Sequence, residues 1–274
     1  MLGGSSPPCV KGAVISCKKK KKGKFLNLKF VFKMLLENID CMELMARYPD
    51  KYFDLAICDP PYGLNIAKTG SIGRDKFTPK TWDEKIPDDE YFIELQRVSK
   101  NQIIWGGNYF PYLWKNGCKG FICWNKLNHH DNRADIEMAW TSFNKLAKYA
   151  EYMWDGNRYG TKGNIQGVGK PTIRIHPTEK PVYLYEWILQ NYGQCEECGG
   201  SGEVASLTID CDVQICKVCK GKAPLILDTH LGSGSIAVAC YKNGYDLTAC
   251  EIDKEYYDKA IKRYNEYTAQ TSLF

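Results

Sequence analysis

No stretch of this 274-residue chain approaches the roughly 20 consecutive apolar residues that a membrane-spanning helix needs, so no membrane partner is expected. The apolar segment at 12–17 is too short and wrongly flanked for a secretory signal, which makes the cytoplasm the expected location. Internal repeats are absent, and the one biased segment is a lysine run near the start. Acidic residues are missing altogether from residues 1–24, where Lys11, Lys18 to Lys22 and Lys24 give a local charge of +7. Beyond that segment stand 30 basic against 32 acidic residues, a balance of −2. The start therefore reads as a disordered basic extension over 1–24, with nonspecific affinity for phosphate at most. Hydrophobic residues are plentiful at 44%, enough for a real core in one α/β domain with insertions. Cysteine is plentiful too, at 13, but this chain is neither small nor visibly exported, so reduced thiols are expected rather than a disulfide framework.

The chain's most informative residues are Asp59-Pro60-Pro61-Tyr62. They follow the apolar run Phe53 to Cys58, which has the length and composition of a buried strand. Two prolines fix φ and remove two N–H groups, leaving a carboxylate, a backbone carbonyl and an aromatic face crowded at a strand end. Such a group suits a planar aromatic amine: two acceptors for its hydrogens and a ring to stack on. A plain Pro-Pro turn with an Asp cap is the alternative.

A second signal lies far downstream. Leu225 to Asp228 reads as a strand, Thr229 to Ser235 as a glycine-containing turn, and Ile236 to Tyr241 as a helix. Gly232 and Gly234 allow a tight turn and close approach of a ligand at a helix N-terminus. A further strand, Asp246 to Cys250, ends in Glu251, an acid placed to accept ribose hydroxyls. Together these describe a nucleoside-binding βαβ unit. The same turn also fits a dinucleotide pattern, which keeps a nicotinamide oxidoreductase among the readings, although the acidic turn at 59–62 has no role in hydride transfer.

In combination these segments resemble the S-adenosylmethionine-dependent amino-methyltransferases of DNA, in the permuted order where the catalytic half precedes the cofactor half. The likeness runs over roughly residues 25–270. Asp40 to Leu44 looks like the family's acidic motif against the cofactor's adenine, and His176-Pro177-Thr178-Glu179-Lys180-Pro181 like its H-P-T-x-K-P motif. The latter opens a helix carrying Tyr185, Ile188, Leu189 and Tyr192 at helical spacing, with Pro181 at its first position. His230 and Leu231 depart from the family's Phe-rich version of the glycine turn. The resemblance implies a Rossmann-like methyltransferase fold with a mostly parallel sheet, and S-adenosylmethionine held by Asp40, Thr178, Lys180, Asp228, Gly232, Ser233, Gly234 and Glu251. It also implies a catalytic turn of Asp59, Pro60, Pro61 and Tyr62 acting on double-stranded DNA. Asp at the first position goes with adenine N6 in that family, Ser with cytosine N4. A homodimer and a cognate restriction endonuclease are further partners it suggests. Cytosine N4 methylation and a catalytically idle DNA-binding protein stand as alternatives.

Between the two halves, Cys195, Cys198, Cys216 and Cys219 form C-x2-C…C-x2-C, the spacing that presents four thiolates to a tetrahedral zinc. Four cysteines leave no open position for water, so the expected zinc is structural, in a small ribbon-like insertion over 193–222 that interrupts a methyltransferase domain of 25–192 and 223–274. Trp105 and Trp124 read as core residues, Gly63 to Lys80 as a mobile loop, and His129 to Arg133 as a polar loop toward DNA. Residues 145–175 occupy the place of a target-recognition element, here short.

Overall fold

The structure, a computed structural model, describes residues 33–271 apart from 70, 73–74, 129–133, 155–158, 163, 167–173, 196, 198–202, 206–212, 216, 218 and 220–221. The basic start, the segment 129–133, Cys198 and Cys216 lie outside the described residues. In chain order the main elements are β1 (Met34–Glu37), α1 (Cys41–Ala46), β2 (Phe53–Cys58), α2 (Asp89–Val98), β3 (Ser99–Trp105), β4 (Phe121–Asn125), β5 (Ile136–Thr141) and β6 (Lys148–Glu151). They continue as α3 (Val182–Tyr192), β7 (Leu225–Asp228), α4 (Ser235–Asn243), β8 (Asp246–Cys250) and α5 (Lys254–Thr271).

The eight strands form one sheet in the order β1-β8-β7-β2-β3-β5-β4-β6. All neighbours are parallel except β3/β5 and β5/β4, so β5 alone is reversed. The central strands are buried on both faces, which is why β2 and β7 are near-continuous apolar runs rather than alternating ones. Leu55 and Ile57 face one core, shared with Leu184, Ile188 and Leu189 of α3, Ile236 and Ala237 of α4 and Ala260 of α5. Ala56 and Cys58 face the other, shared with Leu44 and Met45 of α1 and Tyr91, Phe92 and Leu95 of α2. Helices thus cover both faces, a doubly wound α/β sheet with the expected mostly parallel order. Among the described residues no helix is long and apolar enough to cross a membrane.

The strands read from the sequence at 53–58, 225–228 and 246–250 coincide with β2, β7 and β8. Trp105 and Trp124 are both buried and meet edge to face at 6.2 Å. Pro181 stands one position earlier than expected, at the N-cap of α3 with extended ψ of 147°. Among the described residues of Gly63 to Lys80 are a 3-10 turn at Ile66–Thr69 and a short strand pair, Ser71–Ile72 with Asp75–Lys76. Of residues 145–175, Lys148–Glu151 belongs to the main sheet as its edge strand β6, while Met153–Trp154, Tyr159–Thr161 and Asn164–Gln166 build a separate antiparallel sheet.

In a parallel sheet, ligands gather at the carboxyl ends of the strands where the winding changes direction. Here β2 and β7 are hydrogen-bonded neighbours, in register Ile226 to Leu55 and Leu227 to Ala56. From β2 the chain winds outward through α2 to β3; from β7 it winds the opposite way, through α4 to β8. The turn at 59–62 and the glycine turn at 232–234 therefore emerge side by side.

Candidate active site

Between these strand ends lies a cavity of about 310 Å³. Its wall includes Asp59 and Pro61 from the turn after β2, Gly232 and Ser233 from the turn after β7, Glu251 after β8 and Asp40 after β1. Thr178, Glu179 and Lys180, which precede α3, line the same space, as do Trp82, His176 and Tyr256. Two motifs some 170 residues apart in sequence thus face one volume.

Residues in and behind this wall are held by specific contacts. Asp40 is the N-cap of α1, its carboxylate accepting from Met42 N at 2.8 Å and Glu43 N at 3.3 Å. Glu251 accepts from Gly232 N at 2.8 Å and Asp253 N at 2.9 Å, tying the end of β8 to the glycine turn. Gly234 sits at φ +70° as the N-cap of α4, and a Cβ there would lie 3.0 Å from that of Ala260. Only glycine meets both demands without strain. Arg263 of α5 donates to Ser233 O, Ser235 Oγ and Glu179 Oε1, each at 3.1 Å, and so pins the glycine turn to the 176–181 segment. Nothing in the local sequence marks Arg263 for that role.

The turn at 59–62 is anchored by Asp83, another residue that sequence reasoning missed. The Asp83 carboxylate accepts from Tyr62 N at 2.9 Å, Gly63 N at 3.0 Å and Ile66 N at 3.0 Å. Tyr62 lies across Gly106, where a Cβ would stand 2.2 Å from the tyrosine ring. The Tyr62 ring stacks on Tyr109 at 5.1 Å, and its hydroxyl donates to Asp59 Oδ1 at 2.5 Å. The other carboxylate oxygen of Asp59 takes Lys180 Nζ at 2.5 Å. Lys180, expected to touch a cofactor, thus has its ammonium on the acid while still lining the cavity.

Around Asp59 the charges are buried and interlocked. Burial pushes the Asp59 carboxyl up, and the neighbouring Lys180 ammonium pulls it part of the way back. Burial opposes the Lys180 charge as well, yet Asp59 and Glu137 together hold it protonated above its ordinary value. Glu137, on the reversed strand β5, pairs with Lys126 through Oε1 and lies 3.2 Å from Lys180 through Oε2. Burial works against its charge, but the two lysines bring its carboxyl down to about 2. His176, in edge-to-face contact with Tyr256 at 4.3 Å and tilted against Trp82 at 5.2 Å, is pushed down to about 3 by burial and by Lys180. It is therefore neutral, and its Nδ1 accepts from Thr178 N at 3.3 Å.

Asp228 is pushed up to about 8, chiefly by burial, against the pull of the His230 N–H that it accepts at 2.9 Å. The folded chain keeps a proton that the unfolded chain, near the ordinary 3.8, releases. Stability from this group is present below that ordinary value and is lost as pH rises through the window from about 4 to about 8. Asp228→Asn keeps an oxygen for His230 and removes the charge. Its Tm should gain on the wild type as pH is raised from 5 to about 8 and level off above that, in thermal melts without ligand. A constant difference across that range would show that Asp228 does not titrate there.

The cysteine segment is partly described. A hairpin, Glu203–Ala205 with Val213–Ile215, pairs Glu203 with Ile215, so the chain enters and leaves it side by side, with Cys195 and Cys198 before it and Cys216 and Cys219 after. Among the described residues no group of three or more side chains suited to a metal is found, and two of the four thiols fall outside them.

Residues 119–262 match the family model described as DNA methylase, of the N6/N4 methyltransferase type. The match takes in more than half of the chain, including the 176–181 motif and the glycine turn. This chain belongs to that DNA methylase family. It is similar to the Type II methyltransferase M1.MboII of Moraxella bovis, 20% identical over an alignment of 258 residues that covers 82% of this chain and 94% of that protein. Among solved structures, the complex of M1.HpyAVI with SAM is 17% identical, with a TM-score of 0.47 over 85% of this chain and 99% of that one. The cytosine-N4-specific PvuII DNA methyltransferase is 11% identical, with a TM-score of 0.47 over 86% of this chain and 90% of that one.

Proposed function

We propose that the protein transfers a methyl group from S-adenosylmethionine to the N6 amine of an adenine rotated out of double-stranded DNA. The observation that carries this reading is the single cavity onto which both Asp59 and the Gly232–Gly234 turn open. Its wall suits a nucleoside joined to an amino acid. Carboxylates at Asp40 and Glu251 can accept hydroxyl and amine hydrogens, and the aromatic trio Trp82, His176 and Tyr256 offers apolar faces. A Cβ at Gly232 would stand 3.8 Å from the His176 ring across the cavity wall and take ligand space. When bound, S-adenosylmethionine supplies a methyl group activated on a positively charged sulfur.

The chain's own residues answer the other half of the problem. An adenine amine is a weak nucleophile because its lone pair is delocalised into the ring. Asp59 accepts one of its hydrogens and the Pro60 carbonyl the second, which favours a more tetrahedral nitrogen with its lone pair free. As the new N–C bond forms at the expense of the methyl–sulfur bond, whose electron pair returns to a now neutral sulfur, the nitrogen becomes positively charged and sheds a proton that the buried Asp59 carboxylate can receive. Tyr62 presents a ring for the extruded base, since an amine inside paired DNA cannot reach the cavity. Correct placement of the two reactants supplies most of the acceleration, on the order of 7–11 kcal/mol for well-oriented groups. Asp at position 59 favours adenine over cytosine.

The test is transfer of tritiated methyl from S-adenosylmethionine to unmethylated duplex DNA, followed by mass analysis of the digested nucleosides. N6-methyladenine supports the reading, N4-methylcytosine moves it to the other amine, and DNA binding without incorporation overturns it.

The cysteine segment fits a structural zinc. The hairpin register brings Glu203 and Ile215 together, and in the sequence Cys195-x2-Cys198 precedes the first of these and Cys216-x2-Cys219 follows the second. Four thiolates would hold the ion and close the long connection between α3 and β7. Bound zinc should be about one per chain by elemental analysis. Chelation should lower Tm by several degrees while kcat of the remaining folded protein changes less than about threefold. A collapse of kcat with the fold intact would give the metal a part in the chemistry instead.

A further inference from the structure

Both oxygens of Asp59 already carry a protein hydrogen, one from the Tyr62 hydroxyl and one from the Lys180 ammonium, each at 2.5 Å. A carboxylate in a tight ion pair is a weaker acceptor and a weaker base than one released from it, because the cation stabilises its charge. The arrangement that holds Asp59 in place therefore also dulls it. Relief is close at hand. Lys180 Nζ, on a side chain only 3% exposed, stands 3.2 Å from Glu137 Oε2. Glu137 is itself fixed by Lys126 on its other oxygen. The Lys180 ammonium thus lies within ion-pair reach of both carboxylates, 2.5 Å from Asp59 Oδ2 and 3.2 Å from Glu137 Oε2. The total of two carboxylates and two ammonium groups is unchanged when Lys180 passes from one acid to the other, and Asp59, freed of the ammonium, keeps the Tyr62 hydroxyl as a donor. The other titratable groups around Asp59 are Tyr62 on its own turn, Tyr185 on α3 and Asp228 at the end of β7.

We propose that Glu137 is a positioning residue: it takes the Lys180 ammonium from Asp59 when the substrate amine reaches that carboxylate. The inference rests on the methyl-transfer reading above. Glu137 touches no reacting atom; it acts through Lys180, by setting how strongly Asp59 can accept.

Glu137→Gln tests this with methyl incorporation followed over pH. Lys180 then stays on Asp59, so kcat should fall at least tenfold and the acidic limb of the kcat profile should move to lower pH. In the background of Lys180→Met there is no ammonium to hand over, and adding Glu137→Gln should change kcat less than about twofold. Multiplying effects in the double variant would overturn the proposal, as would wild-type kcat and pH limb in a folded Glu137→Gln protein. Should that variant fail to fold, Glu137→Asp keeps the charge and shortens the reach. A tenfold fall in kcat supports the handover, and no change shows that Glu137 only balances buried charge. Absence of methyl transfer by the wild type would instead remove the underlying function, a different result from an active wild type with an indifferent Glu137.

Discussion

Asp59→Ala should lower kcat for methyl transfer by about a thousandfold, within the range expected for loss of a positioned acid–base group. The fold and the affinity for S-adenosylmethionine should survive. In the proposed reaction this carboxylate both accepts a hydrogen from the amine and receives the proton the product sheds. It is also one anchor of the Tyr62 hydroxyl, so the variant loses the orientation of the stacking ring as well. Lys180 keeps an ion-pair partner, because Glu137 stands 3.2 Å away and then serves both Lys180 and Lys126. For this reason a folded, cofactor-binding but inactive protein is expected rather than an unfolded one. Incorporation within tenfold of wild type would remove Asp59 from the chemistry and with it the proposed mechanism.

Asp83→Ala should be the most destabilising single change near the cavity. The side chain is almost fully buried, at 3% exposure, and accepts three backbone N–H groups, from Tyr62, Gly63 and Ile66. Each buried donor left without a partner costs about 1–3 kcal/mol, and some will find water once the loop relaxes. A loss of about 3–5 kcal/mol in unfolding free energy is therefore expected from denaturant titration. Because the donors belong to the turn that carries Tyr62, kcat should fall with it, by tens of fold at temperatures where the variant is folded. Asp83→Asn keeps one acceptor oxygen and should lie between. A variant losing less than 1 kcal/mol would mean that the turn at 59–62 is held by its prolines alone.

How far the site could be read in the sequence depends on how local its causes are. The strands β2, β7 and β8 were legible because each is a short apolar run ended by a turn residue or an acid, and that pattern is self-contained. So was the α3 face, where Tyr185, Ile188, Leu189 and Tyr192 are all buried as their spacing indicates. Asp83 was not legible, because an acid before a helix reads as a cap or a solvated charge. Only the fold turns it toward backbone groups 17 to 21 residues away. Arg263 was hidden for the same reason, one basic residue among many on a largely polar helix.

Glu137 shows the limit most clearly. It lies one residue into β5, the one reversed strand of the sheet, so its position near the start of that strand falls at the edge where the parallel strands end. Had β5 run parallel to its neighbours, the same residue would sit at the far edge from Asp59. The pairing direction of a strand is set by the connections and by the neighbours it docks against, which no local pattern encodes.

Taken alone, the sequence determined the strands β2, β7 and β8, the helices α3 and α4 and two chemical half-sites: an acid locked between strand and prolines, and a glycine turn followed by a strand ending in an acid. Those follow from backbone sterics and apolar patterning over a few residues. The tertiary structure decided that the two halves share one cavity, that Lys180 bridges Asp59 and Glu137, and that Asp83 and Arg263 hold the two turns in place. Those are contacts between residues far apart in the chain, and burial alone gives them their strength.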